Sequence, residues 1–156
     1  MQINLRAYQP EDIEQIVALF RNTIHTINIK DYSQEQVNAW APETIDAQRW
    51  GAKLLEHYTV VAQYNNIIIG FGDLHSNGYF DHLFTHKDYQ GIGVASKIVE
   101  AIEAHAKQEG IEVLKVHVSI TARTFFISKG YSVVKPQQVE YNGQVFTNYV
   151  MQKNIQ

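Results

Sequence analysis

Apolar residues recur with two periods along the 156-residue chain, and the changes of period divide it into elements. Ile13, Ile16, Val17, Leu19, Phe20 and Ile24 lie three or four apart, the spacing of one helix face. Pro10-Glu11-Asp12 opens this helix, with carboxylates in the first turn where the helix dipole favours them. A strand over residues 3–7 precedes it. Ser33 and Gln36 stand in capping-box spacing and predict a second helix that carries Val37 and Trp40 and stops before Pro42. A third helical stretch runs over residues 46–55.

The period then shortens. Residues 58–63 and 67–72 flank Asn65-Asn66 as a hairpin, and residues 79–85 follow the turn Ser76-Asn77-Gly78 as a third strand. A long helix is predicted over residues 93–109, with Val94, Ala95, Ile98, Val99, Ile102 and Ala106 inward and Gly110 as its stop. Residues 113–118 read as a strand and residues 122–129 as a short helix. Short strands over 131–134 and 139–141 lead through Asn142-Gly143 into a last strand over 146–151. Pro10, Pro42 and Pro136 are read as boundaries between elements. The sum is one α+β domain over residues 1–156, with a mixed, mostly antiparallel sheet and helices on both faces.

Composition narrows the chemistry. There is no cysteine, which removes disulfides, thiolate metal sites and a cysteine nucleophile. A net charge of −3 predicts no nucleic-acid partner and no polybasic membrane contact. No apolar run approaches the roughly 20 residues that span a bilayer, and the first residues do not read as a signal peptide, so a cytoplasmic protein is expected. His25, His57, His75, His105 and His117 look scattered. His82 and His86 are four apart but on strand and turn, so no metal is expected.

The segment Gln90-Gly91-Ile92-Gly93-Val94-Ala95 joins a strand to the long helix. A helix start offers unpaired N–H groups, and glycines let backbone approach a ligand, so this loop suits a pyrophosphate. It has no Gly-Lys-Ser/Thr, and Ser96 stands where a dinucleotide fingerprint has its third glycine. A glycine turn that merely ends a strand is the plain alternative.

The loop resembles the acetyl-CoA signature of the GNAT superfamily of acetyltransferases, Gln/Arg-x-x-Gly-x-Gly/Ala, with Gln90, Gly93 and Ala95 at its defined positions. Residues 119–131, with Ser119, Ala122, Phe125, Phe126, Gly130 and Tyr131, resemble that family's closing motif Asn-x-x-Ala-x-x-aromatic-Tyr-x-x-x-Gly-Phe. Two positions depart from it. Ser119 replaces an asparagine, and Phe126 replaces the tyrosine that in many members protonates the leaving thiolate.

The resemblance implies an acetyl-CoA-dependent N-acetyltransferase whose acceptor is an amine of a small molecule or protein. N–H groups of Ile92, Gly93, Val94, Ala95 and Ser96 would hold the pyrophosphate, with Gln90, Gly91, Ser119 and Phe126 also binding the cofactor. The pantetheine arm would pair with backbone at Leu83 and Thr85 where residues 79–85 splay from residues 113–118, with an N–H near Leu83 steadying the oxyanion. Asp81 is the first candidate base, with His82 and His86 as alternatives; strand alternation predicts that Asp81 and His82 face opposite ways. Tyr131, Tyr141 or a water is left to supply a proton. His25, Tyr32, Trp40, Trp50, Tyr79, Tyr141 and Phe146 are the candidate acceptor pocket. Phe126 also leaves room for a non-catalytic acyl-CoA binding or sensing protein, and the last hairpin for a homodimer contact.

Overall fold

The computed structural model describes residues 1–156. The elements in chain order are β1 (Asn4–Ala7), α1 (Ile13–Thr26), α2 (Gln34–Trp40), α3 (Ala47–Glu56), β2 (Tyr58–Tyr64), β3 (Ile67–Leu74), β4 (Tyr79–Thr85), α4 (Val94–Gln108), β5 (Val113–Ser119), α5 (Arg123–Ser128), β6 (Ser132–Tyr141) and β7 (Gln144–Asn154). Short 3₁₀ turns at Pro10–Asp12 and Asn28–Lys30 bracket α1.

Local chemistry sets these limits. Ser33 Oγ accepts the Gln36 N–H at 3.1 Å while Gln36 Oε1 accepts the Ser33 N–H at 2.8 Å, the reciprocal pair that the spacing predicts for α2. Asp46 Oδ1 accepts the Arg49 N–H at 3.0 Å and caps α3. Asn65 and Asn66 (φ 50° and 63°) and Asn142 and Gly143 (φ 48° and 82°) are left-handed pairs, as tight hairpin turns require.

The seven strands form one sheet in the order β1-β2-β3-β4-β5-β7-β6, antiparallel everywhere except β4–β5. Alternation along β2 places Val60 and Ala62 in one core and Val61 in another. The first core lies under α4, with Ile98, Val99 and Ile102; the second lies under α1–α3, with Ile16, Phe20, Ile24, Val37 and Leu54. Both faces of the sheet are therefore covered, the α+β arrangement expected.

Pro136 is not a boundary. β6 runs through it as one strand, with Pro136 opposite Tyr149 and a bulge between Val133 and Lys135. The strand is at the sheet edge, where a residue without an N–H leaves no ladder bond unmade.

One ion pair anchors the N-terminus. Arg6 Nη1 and Nη2 donate to Asp12 Oδ2 and Oδ1 at 2.8 and 2.9 Å, and the Gln9 N–H adds a third bond at 2.8 Å. The Arg6 hydrogen bond, opposed by burial and helped by the Gln9 N–H, holds the Asp12 carboxyl below its usual range. A lowered folded-state value means stability that is present above the unfolded value, near pH 4, and lost as pH falls through the folded one. Asp12→Asn is expected to lose about 2 kcal/mol at pH 7. Urea melts of both proteins should converge at the acid end; a deficit that persists unchanged at pH 2.5 would contradict this account.

Candidate functional site

β4 leaves β5 after two residues. Only Tyr79 pairs with Lys115 and Phe80 with Val116 before the strands diverge. The His86 N–H donates to Ile69 O at 2.8 Å, and antiparallel bonds alternate, so Phe84 and His82 share that edge with His86. Leu83 and Thr85 therefore turn their N–H and C=O away from β3, toward the gap that β5 has left; Thr85 O is taken by Thr23 Oγ1 at 3.0 Å and by Gln90 Nε2 at 2.8 Å. The gap is the middle of a cavity of about 1140 Å³ that passes between Leu83 and Thr85 on one side and Val118 and Ser119 on the other.

At one end is the glycine turn. Gly91 and Gly93 have φ of 72° and 92°, and a Cβ at either would meet nothing within 4 Å. These glycines are needed for their backbone conformation, which points successive N–H groups outward at the start of α4. Gly91, Gly93, Val94, Ala95 and Ser96 line the cavity. Ile92 does not; its side chain is exposed. Gln90 lines the cavity and also ties the turn to β4, its Nε2 donating to Thr85 O at 2.8 Å.

The other end is aromatic. Phe20 meets Trp50 and Phe84 edge-on with ring centroids at 4.7 and 5.0 Å, and Trp40 meets Tyr32 and Phe146 at 5.4 and 6.1 Å. Tyr32 is a buried strut: its hydroxyl donates to Thr147 O and accepts the Ile120 N–H, both at 2.9 Å. Tyr79, Tyr141 and Phe146 also line the cavity, whereas His25 does not; its Nε2 lies 2.7 Å from Ala41 O.

At the aromatic end, with the His82 ring 5.1 Å from Trp50, stands a histidine–carboxylate cluster that the sequence does not announce. Asp73 is fully buried at the end of β3. Its Oδ1 accepts the His82 backbone N–H at 2.9 Å and lies 2.8 Å from His82 Nδ1; its Oδ2 lies 2.8 Å from His57 Nδ1. Burial alone would raise the Asp73 pKa, but the His82 charge and the hydrogen bonds from both histidines prevail and lower it. Burial likewise works against charge on His82, and Asp73 prevails there too, raising its pKa. In the neutral imidazole, a carboxylate at Nδ1 favours the proton there, which puts the lone pair on Nε2, a nitrogen with no protein partner. Burial, followed by the charges of Asp81 and Asp73, pushes the Tyr79 hydroxyl up to about 12.

Three expectations need correction. Asp81 and His82 do not face opposite ways: Asp81 Oδ1 is 3.7 Å from His82 Nδ1. The register slips between Asp73 and Leu74, leaving Asp81 as the extra residue of a bulge, because the Asp73 carboxylate takes the His82 N–H. Tyr131 is remote from the cavity; its buried hydroxyl donates to Glu103 Oε2 at 2.7 Å, and burial and that carboxylate raise its pKa. Three of the histidines are not scattered: His57 and His75 stack with centroids 3.7 Å apart, and His82 shares Asp73 with His57. His86 stays apart, its Nδ1 accepting the Asp88 N–H at 3.0 Å. Phe126, with Phe80 and Tyr131 edge-on at 5.8 and 5.1 Å, closes the cavity wall as an apolar ring.

The family model of the acetyltransferase (GNAT) domain matches residues 28–153. An uncharacterised N-acetyltransferase of Escherichia coli, YafP, is 36% identical over 149 residues, which is 96% of this chain and 94% of that one. A GCN5-related N-acetyltransferase structure from Rhodopseudomonas palustris superposes with a TM-score of 0.94 at 32% identity, covering 99% of this chain and 96% of that one. PaiA N-acetyltransferase from Thermoplasma acidophilum, solved with coenzyme A, shares the fold at a TM-score of 0.82 and 17% identity, with 99% of each chain covered.

Proposed function

The chain belongs to the GNAT family of acetyltransferases, and on that premise we propose that it moves an acetyl group from acetyl-CoA to an amine, with His82 as general base. One observation carries the reading. A single cavity runs from the glycine turn, past the backbone of Leu83 that no strand pairs, to the unpartnered Nε2 of His82.

The pyrophosphate is assigned to the N–H groups of the turn from Gly91 to Ser96, where the start of α4 adds its partial positive charge. The pantetheine arm extends between the diverged strands and pairs with β4. Its thioester then lies near Leu83, whose N–H polarises the carbonyl.

A lysine-like amine costs about 4.6 kcal/mol to deprotonate at pH 7, so a base near the acceptor matters. Asp81 was the natural candidate from position, but His82 fits better. Its ring is 5.1 Å from Trp50 at the aromatic end, and Asp73 both fixes its tautomer and stabilises the imidazolium formed when it takes the proton. The amine attacks the thioester carbon, the tetrahedral intermediate collapses, and CoA leaves as a thiolate. A thiol with a pKa of about 8.5 can depart without prior protonation, so Phe126 is compatible with turnover. The aromatic end suits an amine carried on a flat or apolar body.

The test is calorimetric titration with CoA, followed by thiol release from acetyl-CoA across a panel of alkyl, aryl and peptide amines. Gly93→Val should weaken CoA about tenfold, because a side chain at φ 92° costs about 1–2 kcal/mol. Absence of heat with CoA would remove the reading. Binding with no thiol release on any amine would instead assign the chain to acyl-CoA sensing.

A further inference from the structure

We propose that His57, Asp73, His75 and Asp81 form a binding site for a divalent transition-metal ion of the zinc type. One ligand atom from each, two imidazole nitrogens and two carboxylate oxygens, lies within 4.8 Å of the other three. His57 follows α3, Asp73 is next to last in β3, His75 lies in the turn after that strand, and Asp81 is the bulged residue of β4. The fold thus gathers four donors spread over 25 residues onto one point.

The pairwise geometry is that of two short bridges. His57 Nδ1 is 2.8 Å from Asp73 Oδ2, and His75 Nε2 is 2.8 Å from Asp81 Oδ2. The stacked rings bring these bridges side by side. An ion placed among the four atoms replaces the hydrogens that the bridges share. Those hydrogens have somewhere to go: His57 Nε2 and His75 Nδ1 bond no protein group, so a tautomer shift frees both ligating lone pairs without releasing a proton.

Charge and donor type point the same way. Two carboxylates neutralise a divalent ion. Imidazoles select zinc, cobalt or nickel over magnesium and calcium, which take all-oxygen shells. His57, Asp73 and Asp81 line the cavity, which gives the ion a path from solvent. Asp73 keeps its second oxygen on His82, so the ion would be held by the same carboxylate that orients His82. Such a site locks the Asp81 bulge and the end of β3 into one geometry. Its existence does not depend on the acyl-transfer chemistry, because the donors alone define it.

Cobalt(II) titration of the purified, chelator-treated full chain tests the site. Visible d–d absorption saturating at one ion per chain is expected, with zinc displacing it. His75→Ala and His57→Ala should each weaken the ion by at least about a hundredfold, more than loss of an outer-shell partner does. CoA titration of the same variants separates this outcome from a misfolded chain, since neither histidine belongs to the glycine turn. The more conservative His75→Gln, which keeps a polar side chain, serves if His75→Ala does not fold. Zinc should raise the melting temperature of the parent and not of the variants. Binding weaker than millimolar, a stoichiometry other than one, or an unchanged spectrum in both variants would overturn the proposal.

Discussion

His82→Ala should lower kcat by about 10²–10⁴-fold, the usual contribution of a positioned general base, while CoA binds as tightly as before. The separation is expected because the imidazole stands at the aromatic end of the cavity and the glycine turn at the other. The loss should be greatest for alkylamines of high pKa and least for amines already neutral at the assay pH, which need no base. Asp81→Asn makes the comparison decisive. That carboxylate lies 2.8 Å from His75 Nε2 and 3.7 Å from His82 Nδ1, so its removal should cost less than tenfold. A severe loss in Asp81→Asn with an active His82→Ala enzyme would transfer the role of base to Asp81. Steady-state thiol release with one alkylamine and one arylamine distinguishes the two.

The second large effect is on stability. Gly72→Val should destabilise the fold by about 3 kcal/mol, at the upper end for overpacking. A Cβ at Gly72 would stand 2.8 Å from Ile98 Cγ2, 3.0 Å from His82 O and 3.1 Å from Ile102 Cδ1. Two of those atoms belong to the buried inner face of α4 and the third is backbone, so none can swing aside. Gly70 is in the same position, with its Cβ site 2.7 Å from Val94 Cγ1. These two glycines let α4 lie close on β3, and that closeness positions the glycine turn over the gap between β4 and β5. The melting temperature should drop by about 6–12 °C. Gly110→Ala is the contrast: its φ is 77° but nothing lies within 4 Å, so only the conformational cost of about 1 kcal/mol applies. Equal melting temperatures for Gly72→Val and Gly110→Ala would show that α4 can retreat from the sheet without penalty.

Much of the fold was legible because it is written in short-range interactions. The stripe Ile13-Ile16-Val17-Phe20-Ile24, the Ser33–Gln36 cap, the left-handed Asn142-Gly143 turn and the glycine loop each need only neighbours a few residues apart. The strand at 132–141 is not legible across Pro136 because a proline marks a break unless the strand lies at an edge, and edge position belongs to the whole sheet.

The sequence by itself determined the elements other than the strand through Pro136, the two-sided sheet and the loop Gln90 to Ala95, since capping, turn formation and apolar periodicity act locally. Only the tertiary structure decided which polar groups meet. Asp73 sits in the apolar run Ile67–Leu74, and a buried carboxylate there demands partners, but nothing local says that they are His57 and His82. Once Asp73 claims the His82 N–H, the ladder slips, alternation fails at Asp81, and two residues assigned to opposite faces come within 3.7 Å. Desolvating one charge thus rearranged the register around it, a long-range electrostatic requirement to which sequence periodicity is blind.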